Sequence, residues 1–191
     1  MEYPNWFEQT AKANFEKNLL PLAGQKLRAL QIGAFTGDAS VWLLENVLTH
    51  DESQLVDVDT WQGSNEEAHK EFDWADVEKT YDERLKPFST KAFKHKITSI
   101  DFLTIANQPP LYDFIYVDGD HSALGTFLDG MLSWVWLNDD GIIAFDDYTW
   151  GPNLDPHLTP RLGVDTFAYL YAPDLELLTL NEQVWLKKIK R

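Results

Sequence analysis

Asp118, His121 and the pair Asp146-Asp147 are the residues of this chain best placed to do chemistry. Asp118 and His121 lie in IYVDGDH (115–121), the pair closes GIIAFDD (141–147), and both stretches begin as apolar runs. If those runs are neighbouring strands, three carboxylates converge on one small volume, where they repel one another and raise each other's pKa. A hard divalent cation removes the conflict: Mg²⁺ takes oxygen ligands octahedrally, keeps part of its water shell and leaves positions for a substrate's hydroxyls. It would also acidify such a hydroxyl. His121, three residues after Asp118, is then the candidate general base. Solvated loop acids without a metal, and a packing or helix-capping histidine, are the plain alternatives.

A second set of residues suits a nucleoside. Gly33 and Gly37 in QIGAFTGDAS follow an apolar run and open a helical one, a place where missing side chains let a ligand approach the backbone. Their spacing is G-x-x-x-G, so the dinucleotide fingerprint G-x-G-x-x-G is not met. Asp59 ends QLVDVD and is placed to accept hydrogen bonds from the ribose hydroxyls of an adenosine-containing ligand. Asp57 points the same way but deeper in the sheet. Ser99 and Asp101 follow the next strand and would meet the adenine ring. A tight strand-to-helix turn and a surface or capping acid explain the glycines and Asp59 without a ligand.

The elements that position these groups follow from periodicity. WFEQTAKANFEKNLLPLAG spaces Trp6, Phe7, Phe15, Leu19 and Leu20 as a covering helix. Strands are expected at 27–33, 54–61, 94–100, 112–118 and 141–147, and helices at 38–48, with Asp38 as its N-cap, at 122–137 and near 161–171. Near-continuous apolar runs alternating with helices mean strands buried on both faces, hence a mostly parallel sheet. LELLTL and QVWLKKI, parted by Asn181-Glu182, read as a closing antiparallel hairpin. Residues 62–88 are polar with scattered aromatics and fall outside the sheet as a lid-like insertion over the acceptor pocket, offering Trp61, Phe72, Trp74 and Tyr81, with Trp150 on the same side. No repeat, low-complexity tract or linker divides residues 1–191, so one domain is expected.

Composition narrows the function. A net charge of -15 over 191 residues argues against a nucleic-acid partner, which needs clustered Lys and Arg. The basic run KKIKR (187–191) reads as a solvated end. With no cysteine, disulfides and thiolate metal sites are excluded. The absence of a signal-peptide pattern and of any long apolar run gives the expectation of a cytoplasmic protein with no membrane partner.

LQIGAFTGDASVWLL, VDVDTWQGS, YDFIYVDGDHSALGTFLD and GIIAFDDYTWG together resemble class I S-adenosylmethionine-dependent methyltransferases, in particular the methyltransferase domain 24 group. The resemblance implies an α/β, Rossmann-like, seven-stranded, mostly parallel sheet with helices on both faces and a reversed last strand. It implies S-adenosyl-L-methionine contacts at Gln31, Gly33, Ala34, Phe35 and Gly37, at Asp59 and Thr60, at Ser99 and Asp101, and at Asp118. It also implies Mg²⁺ or another divalent cation on Asp118, Asp146 and Asp147, with His121 as base and Asp118 beside it in catalysis. The activity implied is methyl transfer to the hydroxyl of a small metabolite or sugar; a homodimer fits the same reading. Gln31 departs from the family, which carries Glu or Asp there, and favours a rival reading as a non-catalytic cofactor-binding module. The D-x-D spacing of Asp118 and Asp120 gives a second rival, a nucleotide-sugar glycosyltransferase.

Overall fold

The computed structural model describes residues 3–64, 67–105 and 111–190; of the expected insertion, residues 65 and 66 lie outside the described residues, as does Arg191 of the basic run. Seven strands form one sheet: β1 (Arg28–Ile32), β2 (Gln54–Asp59), β3 (Ala92–Lys96), β4 (Tyr112–Val117), β5 (Leu137–Phe145), β6 (Leu175–Leu180) and β7 (Val184–Lys188). Their order is β3-β2-β1-β4-β5-β7-β6. The first five pair in parallel, and β7 runs antiparallel to both β5 and β6. The expected Rossmann-like, seven-stranded, mostly parallel sheet is therefore present, with the hairpin in place.

Among the described residues, six α-helices cover the two faces: α1 (Lys12–Leu19), α2 (Asp38–Asn46), α3 (Trp74–Leu85), α4 (Ser99–Ile105), α5 (Ala123–Trp136) and α6 (Pro160–Tyr171). Alternation along each strand sorts the core. Ala29, Leu55, Phe114, Tyr116, Ala144 and Trp185 pack under α1, α2 and α3; Leu30, Ile32, Ile115, Val117, Ile143 and Phe145 pack under α5 and α6. Both faces being buried explains why these strands read as unbroken apolar runs.

Three local expectations are corrected. The third strand stops at Lys96, and Ser99 begins a helix, because the Thr98 hydroxyl accepts the Asp101 backbone N–H as an N-cap while donating to the Asp101 carboxylate, which turns the chain out of the sheet. Asp38 is the first residue of α2 rather than its N-cap; Gly37 holds that position at φ 82°, and the Asp38 carboxylate instead meets Thr36 and Arg84. The basic end is not simply solvated: Lys188 lies in β7 and donates to the Leu137 carbonyl at 2.9 Å.

Candidate active site

Parallel register brings the functional residues to one level. Ile32 pairs with both Val58 and Val117, and Val117 with Phe145, so the next residues, Gly33, Asp59, Asp118 and Asp146, stand side by side at the carboxyl ends of the strands. The order reverses between β1 and β4, and that switch point is where open α/β sheets bind ligands.

Gly33 sits at φ 83°, and a Cβ built there would lie 1.8 Å from the Asp118 carbonyl oxygen. No larger residue fits without moving β4's end, so the glycine keeps the first turn and the acid of the fourth strand in direct contact. Gln31, buried at 2% exposure, donates its amide N–H to the Gly33 carbonyl at 2.8 Å and accepts from Ser40 at 3.3 Å. A carboxylate at this position would have no proton to donate. The departure from the family's acid therefore gives the turn a different, direct brace.

Asp59 does more than the sequence suggested. Its Oδ2 accepts the backbone N–H groups of Ala34 and Phe35 at 2.7 and 3.0 Å, and its Oδ1 that of Trp61 at 2.7 Å. It pins the glycine turn to β2 and leaves about one of a carboxylate's roughly four lone-pair positions for a ligand hydroxyl. Phe35 and Trp61 adopt φ 47° and 48°, a left-handed conformation that non-glycine residues hold only when their surroundings enforce it. Gly37 closes the same turn, and Thr60 accepts a local N–H from Gln62 at 3.3 Å. The third tip differs from expectation: Ser99 turns its hydroxyl inward to Asp129, and the Asp101 carboxylate accepts the Thr98 hydroxyl.

Asp118, His121 and Asp147 gather, with one ligand atom from each lying within 4.8 Å of the others. His121 Nε2 stands 3.1 Å from Asp147 Oδ2 and 3.6 Å from Asp118 Oδ1. Burial raises the Asp118 pKa well above the usual carboxylate range; Asp146 adds to this, and the neighbouring His121 partly offsets it. A site that penalises its own negative charge and offers two carboxylates and an imidazole fits a divalent cation. The third expected acid does not join this group. Asp146 directs Oδ2 at the Tyr116 hydroxyl and Oδ1 at the Gln183 amide, 3.0 Å away. Asp120, the second acid of the D-x-D spacing, caps the approach to α5 through the Ser122 N–H at 2.8 Å, so the D-x-D pair is not assembled.

Of the aromatics expected around an acceptor, Trp150 stands at the site, its ring centroid 5.2 Å from that of His121. Trp61 and Tyr81 are core residues, each 2% exposed, and Tyr81 donates to Asp57 at 2.7 Å. Phe72 and Trp74 pack on Phe35 of the glycine turn, with centroids 5.5 and 6.0 Å away. Two residues that contact the candidate site went unread in the sequence: Asp129, which accepts from Ser99 and is the single charge in its helix, and Gln183, in the hairpin turn, which donates to Asp146.

A family model described as a methyltransferase domain matches residues 30–148. Among solved structures, the O-methyltransferase from Bacillus cereus in complex with SAH is 18% identical, with a TM-score of 0.63 over 100% of this chain and 93% of that one. TomG from Streptomyces achromogenes, an O-methyltransferase of tomaymycin synthesis solved with SAM, is 16% identical, with a TM-score of 0.62 over 99% and 92%. MycE of the mycinamycin biosynthetic pathway, solved with Mg, SAH and mycinamycin VI, is 12% identical, with a TM-score of 0.64 over 100% of this chain and 51% of its own. Curated proteins give no match. At these identities the structural likeness speaks for the fold. No helix among the described residues is long and apolar enough to cross a membrane.

Proposed function

The chain belongs to the methyltransferase domain 24 family of S-adenosylmethionine-dependent methyltransferases, and from that premise we propose that it methylates a hydroxyl of a small metabolite or sugar with the help of a divalent cation. The observation that carries this reading is the convergence of Asp118, His121 and Asp147 within 4.8 Å, beside a glycine turn that Asp59 and Gln31 brace. The cofactor would lie over the turn from Gly33 to Gly37, with Ala34 and Phe35 beneath it and its ribose on the remaining acceptor position of Asp59. Thr60, Ser99 and Asp101 would border the adenosine end.

When bound, S-adenosylmethionine supplies an electrophilic methyl group and the cation a positive charge that acidifies a hydroxyl. Asp118 and Asp147 would hold the cation. His121 would take the acceptor's proton, and Asp147, 3.1 Å from its Nε2, would stabilise the imidazolium that results. Trp150 offers a flat apolar wall to the acceptor ring. Phe72 and Trp74, packed on Phe35 of the glycine turn, would shield that turn from water within a single domain. Binding of mycinamycin VI and Mg by MycE supports a small-molecule acceptor and a cation for this chain.

Titration calorimetry with S-adenosylmethionine and with S-adenosylhomocysteine, each with and without Mg²⁺, tests the reading. Stoichiometric binding that Asp59→Ala abolishes is expected, followed by methyl transfer to hydroxylated acceptors that His121→Ala lowers without removing cofactor binding. A folded protein that binds neither ligand overturns it.

A further inference from the structure

Gln183 has no exposed surface, although it lies in the turn of the C-terminal hairpin. Its carbonyl oxygen accepts from Asn14 Nδ2 and from Trp185 Nε1, both at 2.9 Å. An indole N–H can only donate, so the carbonyl end must face Trp185 and the amide end must face the sheet. There the amide nitrogen donates to Asp146 Oδ1 at 3.0 Å and reaches the Tyr116 hydroxyl at 3.4 Å. Tyr116, 1% exposed, donates to the other oxygen of Asp146. Both Asp146 oxygens are thereby held from behind the site.

The held carboxylate then acts on its neighbour. Asp146 Oδ1 accepts the backbone N–H of Asp147 at 2.8 Å, and Asp147 adopts φ 55°. A left-handed aspartate is disfavoured unless something fixes it; here the fixed oxygen of Asp146 does so. The outcome is an Asp147 carboxylate that faces His121 at 3.1 Å.

We infer that Gln183 and Tyr116 are positioning residues that act through Asp146 to aim Asp147, so that Asp146 backs the cation site and does not ligate the cation. The inference rests on the proposed cation site. It also ties α1 to that site, since Asn14 donates to Gln183 and pairs with Asn181 at 3.0 Å in both directions.

Mn²⁺ alone, titrated into the full chain and followed by the paramagnetic resonance of the free ion, separates the roles. Asp118→Asn and Asp147→Asn should abolish saturable binding. Asp146→Asn keeps an oxygen for both Gln183 and the Asp147 amide, and should weaken binding by no more than about 10-fold, whereas Asp146→Ala, Tyr116→Phe and Gln183→Met should cost about 10- to 100-fold. Loss of binding in Asp146→Asn as complete as in Asp118→Asn makes Asp146 a ligand and overturns the inference. Hydrogen exchange at the Asp147 amide gives an arm independent of metal: protection should survive in Asp146→Asn and fall in Asp146→Ala and in Tyr116→Phe. If the wild type shows no saturable Mn²⁺ binding, the cation reading fails while this exchange pattern still upholds the positioning role; unchanged protection in Asp146→Ala overturns it.

Discussion

Asp57 shows how a single buried acid shapes the stability of this fold. It has no exposed surface, and burial pushes its carboxyl from 3.8 up to about 7, against the hydrogen bond from Tyr81 that favours the ionised form. A carboxyl whose folded pKa is raised binds more protons folded than unfolded, so its contribution is full below about pH 4 and is lost as pH rises towards 7. Over that window the loss is on the order of 3 to 4 kcal/mol. Asp57→Asn keeps an acceptor for Tyr81 and cannot ionise. Denaturant melts at several pH values should therefore show the variant gaining on the wild type as pH rises from 4 to 7, and a constant difference would contradict the assignment. Gly33 makes the second point at this scale: Gly33→Ala forces a Cβ to within 1.8 Å of the Asp118 carbonyl. It should cost at least ~2 kcal/mol in the same melts and weaken S-adenosylhomocysteine binding, because the turn and β4's end must separate.

At the scale of elements, helix placement depends on two contacts. Asp73 caps α3 by accepting the N–H groups of Ala75 and Asp76 at 3.1 and 3.4 Å. Asp73→Ala should lower stability by about 1 kcal/mol, with faster hydrogen exchange concentrated in the first turn of α3. Gly163 of α6 sits against α5, where an added Cβ would lie 2.3 Å from the Ala123 carbonyl. Gly163→Ala should push the helices apart and cost about 1–3 kcal/mol by thermal or chemical unfolding. A neutral result would mean that α6 shifts freely, although Val164 and Phe167 are buried on the same helix.

For the whole molecule, a net charge of -15 means that folding gathers mutually repelling carboxylates. Raising salt from about 10 mM to 150 mM shortens the screening length from about 30 to 8 Å, so the melting temperature should rise over that range. A flat or falling dependence would show that ion pairs such as Lys94 with Glu78 and Asp82 outweigh the repulsion.

Much of this protein was legible from its sequence because the signals were local. Apolar runs alternating with helical periods pointed to the parallel sheet and its hairpin, and strand-end residues such as Gly33, Asp59 and Asp118 lie along the edge of the candidate site. Chain direction alone puts those residues at strand ends, and parallel pairing then levels them. What periodicity does not encode is the direction of a side chain among partners distant in sequence. Only the folded chain turned Asp146 back to Tyr116 and Gln183 while leaving Asp147 on the cluster, buried Trp61 and Tyr81 in the core, and gave Asp59 the backbone of the glycine turn. These choices were made by hydrogen bonds that span 24 to 37 residues, and such bonds follow from the demand that each buried polar atom find a partner in three dimensions.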